Sequence, residues 1–416
     1  MVLQLQLQFP SRKQQRLVSS NQKITFRYFK ALSFESALFL LYSSKFAVNV
    51  LDLSHIELAT EEDKSWDLDF WAKLFKAKTW EKMKMSASAM TEQQIISLFT
   101  KDTIKEYHII NTSHGDDDFR EAIICTFDSG KKLVIKTAHN SFTSVEHIKM
   151  WQRCIEEYRK LGYYSPRIFE SVNGTFPTVF YKGQECIVYA EEFSLYSSVK
   201  DCTNAKPYRD NLYLMTAKIA KQQFDYTDFP SAYCLFDIFP GDELDEVTQN
   251  ALEFQRYCTT LPKCFELQTV RMFRRWEDNR KQLEKIYFEL PFSVFQADFN
   301  DSNVLVDSNG QFVGVIDFNL AGKDEFLNYL FREIYIGTFE EELAEIRRAL
   351  KICKEVYSFT KEEQYAALLI YRCVKPLWYT RVKTLKEAGN DLKLIQKCLD
   401  EMELAQTKEI DFRSVM

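Results

Sequence analysis

Residues 296–318 read QADFNDSNVLVDSNGQFVGVIDF, and they carry the strongest structural signal in the sequence. Two apolar runs, VLV and FVGVI, flank the Asn309-Gly310 pair, which is a strong signal for a tight turn between antiparallel strands. Because a hairpin brings its two ends side by side, we expect Asn303 and Asp317 to be neighbours in space. The stretch therefore predicts a hairpin with polar side chains at its open end.

Asp298 adds a second carboxylate to this end of the hairpin, five residues before Asn303. Three oxygen-bearing side chains at one sheet edge suit hard metal ions and phosphate, and they do not suit redox chemistry. Phosphoryl transfer needs a carboxylate to accept the proton of an attacking hydroxyl, and oxygen ligands for Mg²⁺ at the phosphates. In this interpretation Asp298 is the base, and Asn303 and Asp317 hold the metal. The alternative is a hairpin whose Asp and Asn residues serve only as turn and cap residues.

The segment resembles the catalytic and metal-binding loops of the aminoglycoside phosphotransferase and choline kinase group, the small-molecule branch of the protein-kinase-like fold. Asp298, Asn303 and Asp317 match the pattern of that group one by one. The resemblance implies ATP and Mg²⁺ as cofactors. One position departs from the pattern of the group, which usually has His two residues before the base, whereas this chain has Gln296. All five histidines lie at or before His147, so we expect the Gln296 amide to hold the loop instead.

Composition excludes several classes of protein. The 416 residues are 46% hydrophobic with few Gly and Pro, which indicates a compact folded chain. A net charge of −6 argues against nucleic acid as a partner, since phosphate backbones attract basic surfaces. No apolar stretch reaches the roughly 18 residues of a membrane helix, and no secretory signal is evident. The ten scattered cysteines form no C-x-x-C pair, which favours a reducing compartment, and we expect a cytoplasmic protein without membrane partners.

Upstream, three strand-like runs predict a small sheet: 107–110, 122–127 and 133–135. The last run leads into Lys136, which matches the strand lysine that reaches the ATP phosphates in the kinase-like fold. The resemblance also implies a glutamate that pairs with this lysine, on the helix predicted over 145–161. Glu156 is our choice for that partner. The alternatives are that Glu156 faces solvent, and that the expected place belongs to Gln152.

A buried strand predicted over 185–193 is followed by a polar stretch. The resemblance identifies this part of the chain as the hinge between two lobes. It implies that the backbone there, including Glu191 and Phe193, binds the adenine of ATP. Beyond the hinge, helical spacing dominates and includes one helix predicted over 361–388.

Together these patterns predict an α+β, two-lobed protein-kinase-like fold, with a small antiparallel sheet in the N-lobe and a mainly helical C-lobe. We expect the N-lobe at 91–192 and the C-lobe at 193–416, after an N-terminal extension of unknown role at 1–90.

The implied function is ATP- and Mg²⁺-dependent transfer of the γ-phosphate to a hydroxyl of a small molecule, of the aminoglycoside, choline or sugar type. Two alternatives stay open. One is a weakened or inactive nucleotide-binding pseudokinase that acts as an interaction module, and the other is a kinase that phosphorylates protein. The acceptor and the oligomeric state do not follow from the sequence.

Overall fold

A computed structural model of the chain describes residues 89–416, except for 114, 116, 223, 225–226, 233–234, 239–242 and 335–336. The predicted extension, 1–90, therefore lies outside the described residues apart from its last two positions.

The first lobe contains two helices and six strands: α1 (Glu92–Ser97), β1 (Ile104–Asn111), β2 (Phe119–Phe127), β3 (Lys132–His139), α2 (Val145–Lys160), β4 (Ile168–Phe169), β5 (Thr178–Tyr181) and β6 (Gln184–Glu192). The strands form one antiparallel sheet in the order β1-β2-β3-β6-β4, and β5 also pairs with β6. Alternate residues of β2 and β3 are buried, as the period of two in a half-buried strand requires. The capping box of Thr91 and Gln94 starts α1.

The helix α2 belongs to the core of the second lobe more than to the sheet. Its apolar stripe, which includes Ile148, Trp151, Ile155 and Tyr158, is buried, and Ser144 caps its N-terminus. The stripe residues join the large hydrophobic cluster of the C-terminal helices. The ring of Tyr158 meets that of Phe318 edge-on at 5.2 Å between centroids. This contact ties α2 to the hairpin that the sequence singled out.

The second lobe is mainly helical, and its elements are β7 (Ser197–Ser198), α3 (Arg209–Lys221), α4 (Glu246–Cys258), α5 (Glu266–Glu284), β8 (Phe292–Phe295), β9 (Val304–Val306), β10 (Phe312–Val315), β11 (Gly322–Glu325), α6 (Phe326–Glu333), α7 (Phe339–Lys354), α8 (Lys361–Val374), α9 (Tyr379–Glu387) and α10 (Leu392–Thr407). The single helix predicted over 361–388 is wrong, because α8 and α9 are separate. Pro376 lies between them, and its ring and missing N–H break a helix. Among the described residues, no helix is both long and apolar enough to cross a membrane.

The two lobes join through the predicted hairpin, β9 and β10. The strand β7, just past the end of the sheet, pairs with β9. On the other side, Tyr164 forms a bridge to Gly314, with backbone hydrogen bonds of 2.8 Å to the carbonyl of Val313 and 3.0 Å from the amide of Val315. A Cβ at Gly314 would lie 1.8 Å from the Tyr164 carbonyl oxygen, so only glycine allows this approach. The hairpin is thus fixed between the lobes.

Candidate active site

The hairpin places Asn303 and Asp317 side by side, as the sequence predicts. Val304 pairs with Val315 in the antiparallel register, and the amide of Ile316 donates to the Asn303 carbonyl at 2.9 Å. Asp317 has a φ of 62°, in the left-handed region that non-glycine residues seldom occupy. Such a conformation persists only where the surroundings enforce it, and it is common at functional sites.

Asp298 lies in the loop after β8, beside Asn303. Its Oδ2 accepts from Asn303 Nδ2 at 2.8 Å, and its Oδ1 accepts from Asn300 Nδ2 at 2.8 Å. Burial raises the pKa of Asp298, the hydrogen bond from Asn300 opposes that shift, and the negative charge of Asp317 adds to it. A carboxylate with a raised pKa is a stronger proton acceptor than an ordinary aspartate.

Gln296 joins the loop of Asp298 to the segment of Asp317. Its side chain is fully buried, and Nε2 donates to the carbonyls of Ile316 and Asp317 at 2.7 and 2.8 Å. Its Oε1 accepts from the backbone amide of Asp298 at 2.7 Å. The prediction that the side-chain amide of Gln296 holds the loop is confirmed, because this amide bonds both to the Asp298 loop and to the segment of Asp317.

The backbone of the Asp298 loop has a further connection, to α2. The backbone N–H of Gln296 donates to the hydroxyl of Tyr158 at 3.1 Å. The next residue, Ala297, has a φ of 69°, so this loop also contains a residue in the left-handed region. Both neighbours of Ala297, which are Gln296 and Asp298, are therefore held by backbone hydrogen bonds.

Lys136 lies on β3 and reaches across to the second lobe. Its Nζ is 3.0 Å from Glu191 Oε1 and 3.5 Å from Asp317 Oδ1. Burial alone would lower the pKa of Lys136, but the charges of Asp317 and Glu191 outweigh it and raise the pKa well above its ordinary value. Burial raises the pKa of Glu191, and the positive charge of Lys136 opposes that shift.

The structure does not bring Glu156 to Lys136. Glu156 Oε1 instead accepts from Arg167 Nε at 2.9 Å, and both side chains are about half exposed, at 47% and 50%. The expected pair is thus not formed, because Glu156 lies on the side of α2 that faces β4 and solvent. Gln152, the other residue considered for this place, donates to the Ile168 carbonyl at 3.0 Å.

The hinge residues lie at the end of β6. Glu191 is still within the sheet, opposite Val134 on one side and Ile168 on the other. Phe193 follows the last strand residue and lies under the ammonium group of Lys132, 5.0 Å from its ring centroid. Adenine binding at Glu191 and Phe193 stays a prediction.

Sequence reasoning missed two polar residues beside Asp298. Asn300 was within the quoted stretch, and its place two residues after the base was the only signal. Glu333, at the end of α6, had no motif. Burial raises the pKa of Glu333 to about 7, nearby Arg332 opposes that shift, and the charge of Asp298 adds to it. Glu333 is therefore a second carboxyl group close enough to Asp298 for their charges to interact.

The donor set at the hairpin end fits Mg²⁺. In the described part of the chain, no group of three or more His, Cys, Asp or Glu side chains is arranged to hold a metal ion. Asp317 and Asn303 offer a carboxylate and an amide oxygen, which are hard donors. Mg²⁺ ordinarily takes one or two protein carboxylates and completes its shell with phosphates and water. These residues suit a metal that binds together with a nucleotide.

A family model described as the phosphotransferase enzyme family matches residues 125–392, which is more than half of the 416 residues. The chain belongs to the phosphotransferase enzyme family. The matched range includes the sheet from β3 onward and the whole hairpin. The resemblance seen in the sequence, the two-lobed α+β fold of the kinase type and the expectation of an enzyme are confirmed, and the protein is a kinase.

Solved structures of small-molecule kinases are similar to this phosphotransferase. An aminoglycoside phosphotransferase from Alicyclobacillus acidocaldarius is 12% identical, with a TM-score of 0.47 over 79% of this chain and 95% of that one. A microcompartment-associated aminopropanol kinase is 13% identical, with a TM-score of 0.47 over 76% and 94%. An amicoumacin kinase, solved with AMP-PNP, Ca²⁺ and Ami, is 13% identical, with a TM-score of 0.48 over 84% of this chain and 100% of that one. No curated protein was found to match the sequence.

Proposed function

We propose that this kinase transfers the γ-phosphate of ATP, with Mg²⁺, to a hydroxyl group of a small molecule of the aminoglycoside, amino-alcohol or sugar type. The observation that carries the proposal is the contact between Lys136 and Asp317. These residues come from different lobes and are 181 positions apart in sequence, yet their charged atoms are 3.5 Å apart. The charge of Asp317 also acts on Asp298, so a cation, an acid that would hold a metal and a carboxylate that would serve as base lie close together.

Each of these polar residues has a role in this proposal. Lys136 would bind the phosphates of ATP by its charge, and Asp317 with Asn303 would hold Mg²⁺. When bound, Mg²⁺ supplies positive charge that neutralises the phosphates during transfer. The backbone at Glu191 and Phe193 would bind the adenine. These assignments use the family membership together with the distances between the side chains.

Asp298 would orient the acceptor hydroxyl and take its proton. Both of its oxygens already accept amide hydrogens, from Asn303 on the buried side and from Asn300 on the exposed side. The Asn303 bond fixes the carboxylate, so the acceptor hydroxyl would replace the Asn300 amide at Oδ1. The raised pKa of Asp298 favours the proton transfer.

We further propose that the kinase works in the cytoplasm. The nine cysteines among the described residues are free thiols, and most of them are buried. Free thiols suit a reducing compartment.

The experiment compares the native kinase with Asp298→Asn and with Asp301→Asn. Asp301 is exposed in the same loop, and its side chain accepts a hydrogen bond from the Tyr208 hydroxyl, so it serves as the matched control. Transfer of the γ-phosphate and hydrolysis of ATP would be measured with Mg²⁺ and a panel of aminoglycosides, amino alcohols and sugars.

We expect Asp298→Asn to lower turnover at least about 100-fold, the usual contribution of a general base. Asp301→Asn should stay within about twofold of the native rate, as surface changes usually do. Turnover that Asp298→Asn leaves unchanged would refute the role of this residue. Binding of Mg-ATP without turnover on any acceptor would favour the pseudokinase instead.

A further inference from the structure

We infer that Glu191 positions Lys136 for the nucleotide, and that it takes this role from the glutamate of the helix. The inference rests on the proposed function, since it concerns the lysine that would bind the phosphates. In protein kinases the lysine of the third strand pairs with a glutamate of the neighbouring helix, and that pair must be in place for activity. Here the carboxylate comes from β6, within the same sheet as the lysine.

The register of β3 and β6 brings the two side chains together. Lys136 lies opposite Tyr189, and Val134 lies opposite Glu191. Alternate residues of a strand share a face, so Lys136 and Glu191 are diagonal neighbours on one face of the sheet. Their charged atoms are 3.0 Å apart, and only 15% of the Glu191 side chain is exposed.

Neither Glu156 nor Glu157 of α2 is paired with Lys136. Glu156 pairs with Arg167, and Glu157 pairs with Lys160 one turn away at 2.5 Å. The aromatic rings of Trp151 and Tyr189 lie between the helix and the strand, with centroids 6.0 Å apart. Because Tyr189 is directly opposite Lys136, α2 meets this part of the sheet through an aromatic ring, and no carboxylate of α2 is paired with the lysine.

The arrangement gives Glu191 a second effect, on the metal-binding residue. Lys136 contacts both Glu191 and Asp317, and Asp317 is the more exposed of the two, at 35%. With Glu191 present, Asp317 can turn to a metal while Lys136 keeps one anionic partner. Without Glu191, Lys136 would hold Asp317 more strongly and would compete with Mg²⁺ for it. Loss of Glu191 should therefore weaken nucleotide binding and raise the Mg²⁺ requirement together.

The test uses the full chain and the variants Glu191→Gln and Glu156→Gln, which remove one charge each from isosteric side chains. Binding of ATP at fixed Mg²⁺ is measured by calorimetry, and KM for ATP, kcat and the Mg²⁺ concentration for half-maximal rate are measured by turnover. We expect Glu191→Gln to weaken ATP binding and to raise KM by about tenfold, which corresponds to about 1.4 kcal/mol. The half-maximal Mg²⁺ concentration should rise with it, and kcat should change less.

Glu156→Gln should leave all of these values within about twofold, as expected for an exposed ion pair. A structural defect alone would not shift the Mg²⁺ requirement, and a double-mutant cycle adds a second check. In a Lys136→Met background, Glu191→Gln should have no further effect on ATP binding, because the partner is gone.

Three results would contradict the inference. They are unchanged ATP binding in Glu191→Gln, a larger effect of Glu156→Gln, and additive losses in the double-mutant cycle. If the native kinase itself binds no Mg-ATP, the proposed function fails as a whole. If the native kinase binds Mg-ATP and only Glu191→Gln is silent, the role of Glu191 alone is refuted.

Discussion

Replacing Gln296 by alanine should both destabilise the kinase and slow it. The substitution leaves three backbone groups without their partner in a fully buried place: the carbonyls of Ile316 and Asp317 and the amide of Asp298. An unsatisfied buried group costs about 1–3 kcal/mol. Some of these groups regain water in the space left by the side chain, so we expect a loss of about 3–5 kcal/mol in the free energy of unfolding. This is a large part of the ~5–15 kcal/mol that stabilises a typical domain.

The same bonds also position the base, and a misplacement of about 1 Å costs about 100-fold in rate. The assay is guanidinium unfolding followed by fluorescence, together with kcat. Gln296→His keeps one donor and one acceptor in a neutral ring, so it should lose only about 1–2 kcal/mol.

Gln311→Ala is the control, because Gln311 is exposed in the turn of the same hairpin, and it should change stability by no more than about 0.5 kcal/mol. If Gln296→Ala were as stable and as active as Gln311→Ala, the structural role of the Gln296 amide would be refuted.

Three further predictions concern stability. Gly314→Ala should prevent the Tyr164 bridge, because the new Cβ would lie 1.8 Å from the Tyr164 carbonyl oxygen; we expect a loss above about 3 kcal/mol by chemical unfolding, and near-native stability would contradict it. Tyr158→Phe removes the acceptor of the Gln296 backbone N–H but keeps the ring contact with Phe318. It should lower the free energy of unfolding by about 1–3 kcal/mol, and a loss near zero would show that this hydrogen bond does not stabilise the fold. Burial raises the pKa of Asp324 from 3.8 to about 7, so the folded protein holds an extra proton between these values and its stability falls as pH rises through that window. Relative to Asp324→Asn, the native kinase should lose about 2–3 kcal/mol between about pH 5 and pH 8, and a difference that is independent of pH would contradict the buried carboxyl.

The hairpin was predictable from the sequence because its signals are local. The Asn309-Gly310 turn and the two apolar runs fix the pairing of β9 and β10, and the ends of a short hairpin must meet. The positions of Asn303 and Asp317 follow from this short-range geometry alone. The apolar stripe of α2 was visible for the same reason, since helical periodicity is a property of neighbouring residues.

The partner of Lys136 was not predictable in this way. It depends on the register between β3 and β6, which are far apart in sequence, and on the rotation of α2 about its own axis. Periodicity shows which face of a helix is buried, but it does not show which strand residue that face meets. No glutamate of α2 matched the expected spacing closely; Glu156, one turn beyond Gln152, was chosen, yet Arg167, just before β4, binds it. The break at Pro376, by contrast, carried a clear local signal that the long helical pattern obscured.

A crystal structure of the kinase with Mg²⁺ and a non-hydrolysable ATP analogue would locate the nucleotide and the metal. We expect the metal to contact the Asp317 carboxylate and the Asn303 amide oxygen. Lys136 should contact the phosphates while it keeps its contact with Glu191, and Asp298 should face the γ-phosphate. A nucleotide bound elsewhere, or a metal held without Asp317 and Asn303, would contradict this expectation.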